Sequence, residues 1–272
     1  MTVWINGEPS EAGTVSVHDA GFVRGDGCFE ALRSYGGRAF ALTEHIQRLQ
    51  WSAAALGMTL PVADELEAWI ATAAREAGDG IVRVIATRGG PDQIVAPPIV
   101  VVISEPLPAL LENLALLPIR APWHSAGRPW ELAGAKTLSY GPNVNAGRVA
   151  RERGFDDALL VSDDDIVLEG PTFTIGWVID GVVETPALDL LILDSITRRY
   201  VLNLAEEVLE GRFHLSRIVS ASEVFVMSTI KEVVAVARLG EFSFEPGPVT
   251  DRLARDFRAG LIDAGYTVSP RE

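Results

Sequence analysis

The stretch from Glu131 to Gly176 constrains the fold more than any other part of the sequence. Residues 142–153 have the apolar spacing of a helix, and residues 158–161 read as a strand. Three consecutive aspartates at 163–165 then predict a hairpin turn. This order of helix, strand and hairpin predicts a βαβ-like passage of mixed α/β structure.

Two residues in this stretch are chemically unusual. Lys136 lies among small and apolar residues, and Lys231 is the only other lysine in the chain. Burial disfavours the charged form of a lysine and makes its amine nucleophilic enough to form a Schiff base. Glu169 ends an apolar strand, where a carboxylate needs a cationic partner. We expect Lys136 and Glu169 to converge on one cleft.

Composition limits the class of protein. A chain of 272 residues with 48% apolar and 22% charged residues is globular and long enough for two domains. Its net charge of −14 argues against nucleic-acid and anionic-membrane partners. No basic segment precedes an N-terminal apolar run, and no apolar stretch reaches the roughly 18 residues that span a bilayer. One cysteine and four scattered histidines predict no disulfide and no metal site. We therefore expect a cytoplasmic, metal-free protein.

Residues 120–134 have the composition of a linker, with two prolines, two tryptophans and two glycines. We place an interdomain loop there, between a domain of residues 1–119 and one of residues 135–272. Ligand sites favour such junctions, so Arg128 is a candidate contact for a substrate carboxylate.

The N-terminal part contains a strand at 28–35 that follows a tight bend at Gly25–Gly27. The Gly-x-Gly there lacks the strand and helix context of a nucleotide-binding loop. Alternation places Phe29, Ala31 and Arg33 on one face. Arg33 either meets a substrate carboxylate or forms a surface ion pair at a sheet edge.

Further basic and hydroxyl residues have two possible roles each. Arg48 lies near the apolar stripe of a helix over 43–56 that Thr43 would cap, where arginine ordinarily extends to solvent. Arg83 lies in a strand over 81–90, and alternation does not fix its face. Ser195 begins a helix that we expect to reach about Leu209, and its first turn offers either an anion site or ordinary capping.

Together these features resemble the fold-type IV pyridoxal 5'-phosphate (PLP) enzymes, over nearly the whole chain. This family includes branched-chain and D-amino-acid aminotransferases, (R)-selective amine transaminases and aminodeoxychorismate lyases. The matching motifs are A-K-T-L-S-Y-G-P-N-V at 135–144 and V-L-E-G-P-T-F-T-I at 167–175. The resemblance implies an α+β fold with a small N-terminal α/β domain and a larger C-terminal domain around a β-barrel-like sheet.

The resemblance also implies a role for each matching residue. Lys136 would carry PLP as a Schiff base and move a proton as a free amine. Glu169 would keep the pyridine nitrogen protonated, and Tyr140 would hydrogen-bond the ring oxygen. The implied phosphate ligands are Arg48, Ile196, Thr197, Ser228 and Thr229. The candidate substrate contacts are Phe29, Ala31, Arg33, Arg83 and Arg128.

Within this family the sequence favours a D-amino-acid or (R)-amine transaminase that uses a small-molecule amino donor and a 2-oxo acid. Aminodeoxychorismate lyase comes second, because Ala31 stands where lyases typically carry threonine, and a branched-chain aminotransferase comes third. The loop 89–96 contains no Arg and His pair, which departs from the D-amino-acid enzymes. A homodimer is implied by the resemblance. Lys231 is a rival Schiff-base residue, and a binding protein with a structural Lys136 is the non-enzymatic alternative.

Overall fold

The structure is a computed structural model that describes residues 1–90 and 96–270. Its helices and strands are mixed along the chain, which confirms the predicted α+β class. The chain divides into two compact units. The first contains residues 1–108, 135–140 and 261–272, and the second contains residues 109–134 and 141–260.

The described residues of the first unit form a six-stranded antiparallel sheet in the order β2-β1-β6-β5-β3-β4. Its strands are β1 (Thr2–Ile5), β2 (Glu8–Pro9), β3 (Gly27–Tyr35), β4 (Arg38–Ala39), β5 (Gly80–Thr87) and β6 (Ile99–Pro106). Its helices are α1 (Ala20–Arg24), α2 (Leu42–Ala55) and α3 (Ala63–Ala77).

The long strand β3 divides its side chains between two faces of this sheet. One face carries Cys28 and Leu32, which pack in a core with the apolar stripes of α2 and α3. That core includes Ile46, Leu49, Leu66, Ile70, Val82, Val84, Val100 and Val102. The predicted cap of α2 is wrong: the N-cap residue is Ala41, with φ of 49° and no side-chain cap, because the helix begins at Leu42, one residue before Thr43.

The second unit forms a mixed sheet, with the described strands in the order β11-β10-β9-β12-β13-β7-β8 and β14 beside β13. These strands are β7 (Asn113–Arg120), β8 (Asp157–Val161), β9 (Thr174–Ile179), β10 (Val182–Pro186), β11 (Val208–Gly211), β12 (Glu223–Ser228), β13 (Glu232–Leu239) and β14 (Phe242–Ser243). Its helices are α4 (Gly141–Glu152), α5 (Ile196–Leu202), α6 (Leu215–Val219) and α7 (Pro248–Asp263), and α7 runs on into the first unit.

Two expectations need correction in the second unit. The helix predicted to reach Leu209 ends at Leu202, because residues 208–211 form β11 and pair in parallel with β10. Strand β7, which the sequence placed in the N-terminal domain, pairs in parallel with β13 and β8. That pairing buries Leu114 and Leu116 in the core of the second unit. The remaining domain boundaries stay a prediction.

No helix among residues 1–90 and 96–270 is long and apolar enough to cross a membrane. The same residues contain no group of three or more His, Cys, Asp or Glu side chains arranged to hold a metal ion.

Candidate active site

In the first unit, Lys136 is held against the beginning of β3 by backbone hydrogen bonds. The Phe29 N–H donates to the Lys136 carbonyl at 3.0 Å, and the Leu138 N–H donates to the Gly27 carbonyl at 2.8 Å. The Lys136 N–H donates to Ser52 Oγ of α2 at 3.1 Å. The segment 135–140 thus lies along β3, and the position of Lys136 is fixed from both the sheet and the helix.

Glycine at position 27 permits this close approach. A Cβ atom added there would lie 2.4 Å from the Ala86 carbonyl oxygen and 2.6 Å from Leu138 Cδ1. Both distances are far shorter than a van der Waals contact, so any side chain at 27 would push the lysine segment away from β3.

The Lys136 side chain is half-buried between two aromatic rings. Its Nζ lies 4.2 Å from the centroid of the Phe29 ring and 5.8 Å from that of Tyr140. The two rings meet edge to face, with centroids 5.3 Å apart. The predicted residues Lys136, Phe29 and Tyr140 are therefore neighbours, in an arrangement that restricts the directions the amine can take.

Arg48, a predicted phosphate ligand, is fixed in the structure by a buried carboxylate. Its Nε and Nη2 donate to the two carboxylate oxygens of Glu30 at 2.6 and 2.8 Å. His45 Nδ1 lies 2.8 Å from Glu30 Oε2. Glu30 and His45 are fully buried, whereas the Arg48 side chain is 11% exposed. The guanidinium is oriented by Glu30 whatever ligand it meets.

The electrostatics of this buried group follow from its contacts. Burial works to raise the pKa of Glu30, but the charge and hydrogen bonds of Arg48 and His45 outweigh it and hold the pKa well below its usual range. Burial lowers the pKa of His45 more strongly than Glu30 raises it. Glu30 is therefore a carboxylate, and His45 is neutral and donates through Nδ1. Burial, with Glu30 nearby, also raises the pKa of the Cys28 thiol to about 12, so Cys28 is unreactive.

On the other face of β3, the candidate substrate residues follow Phe29 in register. Ala31 lies directly opposite Arg83 of β5, so both side chains point to one side of the sheet. Arg83 donates through Nε and Nη2 to Glu105 at 3.1 and 2.9 Å. The pair is partly exposed, at 35% for Arg83 and 21% for Glu105. This fixes the face of Arg83, which the sequence left open.

Arg33 is not a surface residue. It is only 6% exposed, and its guanidinium carbon lies 4.8 Å from the centroid of the Tyr35 ring. Only Ser34 and Tyr35 of β3 pair with β4, but Arg33 itself is buried, so the interpretation of Arg33 as a surface ion pair is wrong.

In the second unit, Ile166 and Val167 form isolated β-bridges instead of the predicted strand, and Glu169 just after them is held by two kinds of partner. The Leu193 N–H faces both carboxylate oxygens at 3.2 and 3.3 Å. His124 Nε2 lies 3.5 Å from Oε1. Glu169 is 16% exposed, so most of it is removed from solvent. Gly170 is required next in the chain because an added Cβ would lie 2.1 Å from the Phe173 ring.

Only two of the predicted phosphate ligands of the second unit, Thr197 and Thr229, are shown in contact with each other. Thr197 Oγ1 and Thr229 Oγ1 are 3.3 Å apart, although they come from α5 and from the turn after β12. Ser195 is the N-cap of α5, and its hydroxyl accepts from the Arg198 N–H at 3.3 Å. The Ile196 side chain is buried and apolar, so only its backbone N–H could serve as the predicted phosphate ligand. Ser228 Oγ instead accepts the Lys231 N–H at 3.1 Å within its own turn.

Lys231, the rival lysine, lies in a different setting. Its Nζ donates to Thr172 Oγ1 at 2.7 Å. Burial lowers the pKa of Lys231, against the opposing effect of Asp157. Burial likewise raises the pKa of Asp157. Lys231 is thus an amine held by neighbouring polar groups of the second unit.

Two other expectations concern loops. Arg128 is exposed, and its Nε donates to the Ser125 carbonyl of its own turn at 3.3 Å. The loop expected to lack an Arg and His pair at 89–96 lies partly outside the described residues.

Sequence reasoning missed Glu30, His45 and His124. Glu30 has a signal in the sequence, because alternation places it on the apolar face of β3, where a buried carboxylate needs a cation. His124 has no such signal, since it lies in an irregular segment rich in Gly and Pro.

The groups present suit the implied cofactor. A half-buried amine beside aromatic rings can hold an aldehyde, a shielded carboxylate can pair with a protonated ring nitrogen, and paired hydroxyls can donate to a phosphate. The first group belongs to the first unit, and the other two belong to the second unit.

Comparison with known proteins supports the resemblance. A family model described as amino-transferase class IV matches residues 27–239. The chain is 33% identical to a Methanocaldococcus jannaschii protein provisionally named a branched-chain-amino-acid aminotransferase, covering 95% of this chain and 96% of the relative. It is 30% identical to a D-alanine aminotransferase of Listeria monocytogenes, covering 93% of each.

A solved structure gives the same result. A hypothetical aminotransferase from Mycobacterium tuberculosis in its PLP-bound form matches with a TM-score of 0.89 at 25% identity, covering 97% of this chain and all of the other. The family predicted from the motifs is confirmed. The chain belongs to the class IV aminotransferases, which are PLP-dependent transaminases of fold type IV.

Proposed function

We propose that this protein transfers an amino group from a D-amino acid, and also from (R)-amines, to a 2-oxo acid. The observation that carries the proposal is the arrangement in the first unit, where the Lys136 amine lies 4.2 Å from the Phe29 ring. Ala31 and Arg83 follow Phe29 on the same face of the sheet. A reactive amine, a small side chain and an arginine in succession suit a substrate that bears both an amine and a carboxylate.

Each residue has a chemical task in this proposal. When bound, PLP supplies an electron sink that stabilises negative charge at the substrate Cα. Lys136 would hold the cofactor through its Nζ and, as a free amine, would carry a proton to and from the substrate Cα. Glu169 keeps a proton on the ring nitrogen, and Tyr140 donates to the ring oxygen. The phosphate group is held by Arg48, the Ile196 amide, Thr197, Ser228 and Thr229.

Substrate binding is assigned to the half-buried face of the first sheet that carries Phe29 and Ala31. Arg83 has a guanidinium that can form a paired hydrogen bond with a carboxylate, and Glu105 keeps it in one orientation. Phe29 and Ala31 line the pocket, Arg33 supports it from a buried position, and Arg128 is an exposed additional contact.

The configuration of the donor is inferred from the motifs. The P-N-V segment after Lys136 and the E-G-P-T-F segment at 169–173 resemble the D-amino-acid enzymes, and a D-alanine aminotransferase is among the relatives. Ala31 argues against lyase chemistry, because it offers no hydroxyl at the position where lyases typically have one.

A branched-chain aminotransferase is a second candidate, for a specific structural reason. The half-buried side chains of Ile85, Val101 and Ile103 lie on the same face as Phe29 and Ala31, as the strand register requires. An aliphatic face suits a branched apolar side chain. The Methanocaldococcus jannaschii relative supports the same reading.

The chain offers a direct test because it contains only two lysines. Borohydride reduction of the PLP-loaded protein, followed by digestion and mass spectrometry, should place the pyridoxyl group on Lys136. Lys136→Ala should lose both the label and turnover while keeping its circular dichroism spectrum. Lys231→Arg is the matched control and should keep both. Label on Lys231, or turnover retained by Lys136→Ala, would refute the assignment.

Substrate identity needs a separate panel. D-alanine, L-leucine and (R)-1-phenylethylamine are each mixed with 2-oxoglutarate, and amino transfer is measured. Turnover with D-alanine or the (R)-amine and none with L-leucine supports the first candidate. Turnover with L-leucine alone favours the branched-chain reading.

We also propose that the protein is a homodimer, on the basis of the family resemblance. Light scattering after size-exclusion chromatography should then give a mass of twice 29.3 kDa. A monomer mass across a range of concentrations would refute this.

A further inference from the structure

The loop that carries His124 brings an imidazole to the Glu169 carboxylate. His124 Nε2 lies 3.5 Å from Glu169 Oε1, and the two side chains are only 12% and 16% exposed. We propose that His124 is a positioning residue, which donates an N–H to Glu169 and thereby holds the carboxylate for the ring nitrogen of the cofactor. This inference rests on the role assigned to Glu169 in the proposed function.

The other nitrogen of the imidazole identifies the tautomer. The Ala126 N–H donates to His124 Nδ1 at 3.0 Å. A nitrogen that accepts a hydrogen bond carries no proton, so the neutral ring must carry its proton on Nε2. Nε2 is the atom that faces Glu169. The backbone at Ala126 therefore sets the imidazole as a donor toward the carboxylate.

The loop itself is anchored on both sides of His124. The Ala121 N–H donates to the Val161 carbonyl at 2.8 Å, and the His124 N–H donates to the Ala121 carbonyl at 2.9 Å. Trp123 Nε1 donates to Asn143 Oδ1 of α4 at 2.9 Å. These bonds hold the backbone that carries the imidazole.

After His124, the glycine at position 127 lets the loop pass close to the Arg212 side chain. Its φ is +89°, and an added Cβ would lie 2.4 Å from Arg212 Nη2. Arg212 in turn donates to Asp189 at 3.3 Å. The turn after His124 is therefore packed on an arginine that is itself held in place.

The backbone donor of Glu169 does not distinguish its two carboxylate oxygens. The Leu193 N–H is shared between the two oxygens at 3.2 and 3.3 Å, and neither distance is short. An ionised carboxylate can accept about four hydrogen bonds. A donor on Oε1 distinguishes the two oxygens and fixes the plane of the carboxylate.

The test compares two ligands on the ligand-free protein. Dissociation constants are measured for PLP and for 1-deaza-PLP, in which a C–H replaces the ring nitrogen. His124→Phe keeps the size of the ring and removes the donor, and His124→Gln keeps a donor N–H. His124→Phe should weaken PLP binding about 2- to 10-fold and leave 1-deaza-PLP binding unchanged, since one hydrogen bond is lost. His124→Gln should restore most of the difference.

Glu169→Gln separates this inference from the proposed function. If Glu169→Gln weakens both ligands equally, the assignment of Glu169 to the ring nitrogen fails. If Glu169→Gln affects PLP selectively but His124→Phe affects neither ligand, or both alike, only the role of His124 is overturned.

A second measurement does not depend on the stability of any variant. In the ligand-free wild-type protein, ¹H–¹⁵N correlation spectra of the four histidines report which ring nitrogen is protonated. His124 should show a protonated Nε2 and a bare Nδ1 at neutral pH. The opposite tautomer would overturn the proposal.

Discussion

Replacing Glu30 by glutamine should be one of the most destabilising single-atom exchanges in the first unit. Glu30 Oε1 accepts from Arg48 Nε, and Oε2 accepts from both Arg48 Nη2 and His45 Nδ1. In Glu30→Gln, one of these oxygens becomes an NH2 group that cannot accept. At least one buried donor then faces another donor, and the charge of Arg48 loses its buried partner.

The magnitude follows from burial. Removing one partner from a buried ion pair costs about 3–5 kcal/mol, because an uncompensated charge stays out of water. The matched control is Glu105→Gln, which also removes the charge from a carboxylate bonded to Nε and Nη2 of an arginine. That pair is 35% and 21% exposed, so its loss should cost about 1 kcal/mol or less. Glutamate-to-glutamine exchange is therefore expected to lower the free energy of unfolding far more at position 30 than at position 105.

Urea unfolding at pH 7, followed by circular dichroism, measures both variants against the wild type. With a slope of about 2 kcal/mol per molar, the midpoint for Glu30→Gln should fall by about 1.5–2.5 M, and that for Glu105→Gln by about 0.5 M or less. The double variant Glu30→Gln/Arg48→Met should recover part of the loss, since it also removes the stranded charge. Equal shifts for the two single variants would refute the argument from burial.

Other predictions test separate features. The pKa of His45 in the folded protein lies below its unfolded value of about 6.5, so its contribution to stability is complete above pH 6.5 and is lost as the pH falls. The free energy of unfolding of His45→Gln should therefore depend less on pH between pH 7 and 5 than that of the wild type. An unchanged pH dependence would contradict this. At the start of α7, Gly247→Ala should destabilise the protein by about 1–3 kcal/mol, because the added Cβ would lie 2.2 Å from the Glu223 carboxylate that caps the helix. Gly260→Ala meets no atom within 4 Å and should stabilise the protein by about 0.5–1 kcal/mol. Thermal unfolding measures both variants, and the reverse order of stability would contradict both predictions. Thr197→Val and Thr229→Val should each weaken PLP binding about 3- to 10-fold in equilibrium titrations. Binding of pyridoxal, which lacks the phosphate, should stay unchanged. Equal losses of affinity for both ligands would show that the two threonines do not bind the phosphate.

Much of the candidate site could be predicted from local sequence. Lys136 stands out because it is a lone amine among small residues, and Glu169 because it ends an apolar strand. Alternation along β3 placed Phe29, Ala31 and Arg33 together, since side chains of a strand point to opposite faces in turn. These predictions could be made because each depends only on neighbours within a few residues of the chain.

The sequence could not provide partners that come from distant segments. Arg83 meets Glu105 across a strand register, and Thr197 meets Thr229 between a helix and a turn. His124 reaches Glu169 from an irregular loop whose path no periodicity encodes. The membership of β7 was misjudged for the same reason, because parallel pairing with β8 and β13 leaves no local signature.

By itself, the sequence determined the family and the alternation of the strands and singled out Lys136 as a candidate, all of which depend on residue type and short spacing. The tertiary structure decided which charges are paired, which arginines are buried and which imidazole meets the carboxylate. The physical reason is that pairing energies depend on distance and burial, and both are set only when segments far apart in the chain pack together.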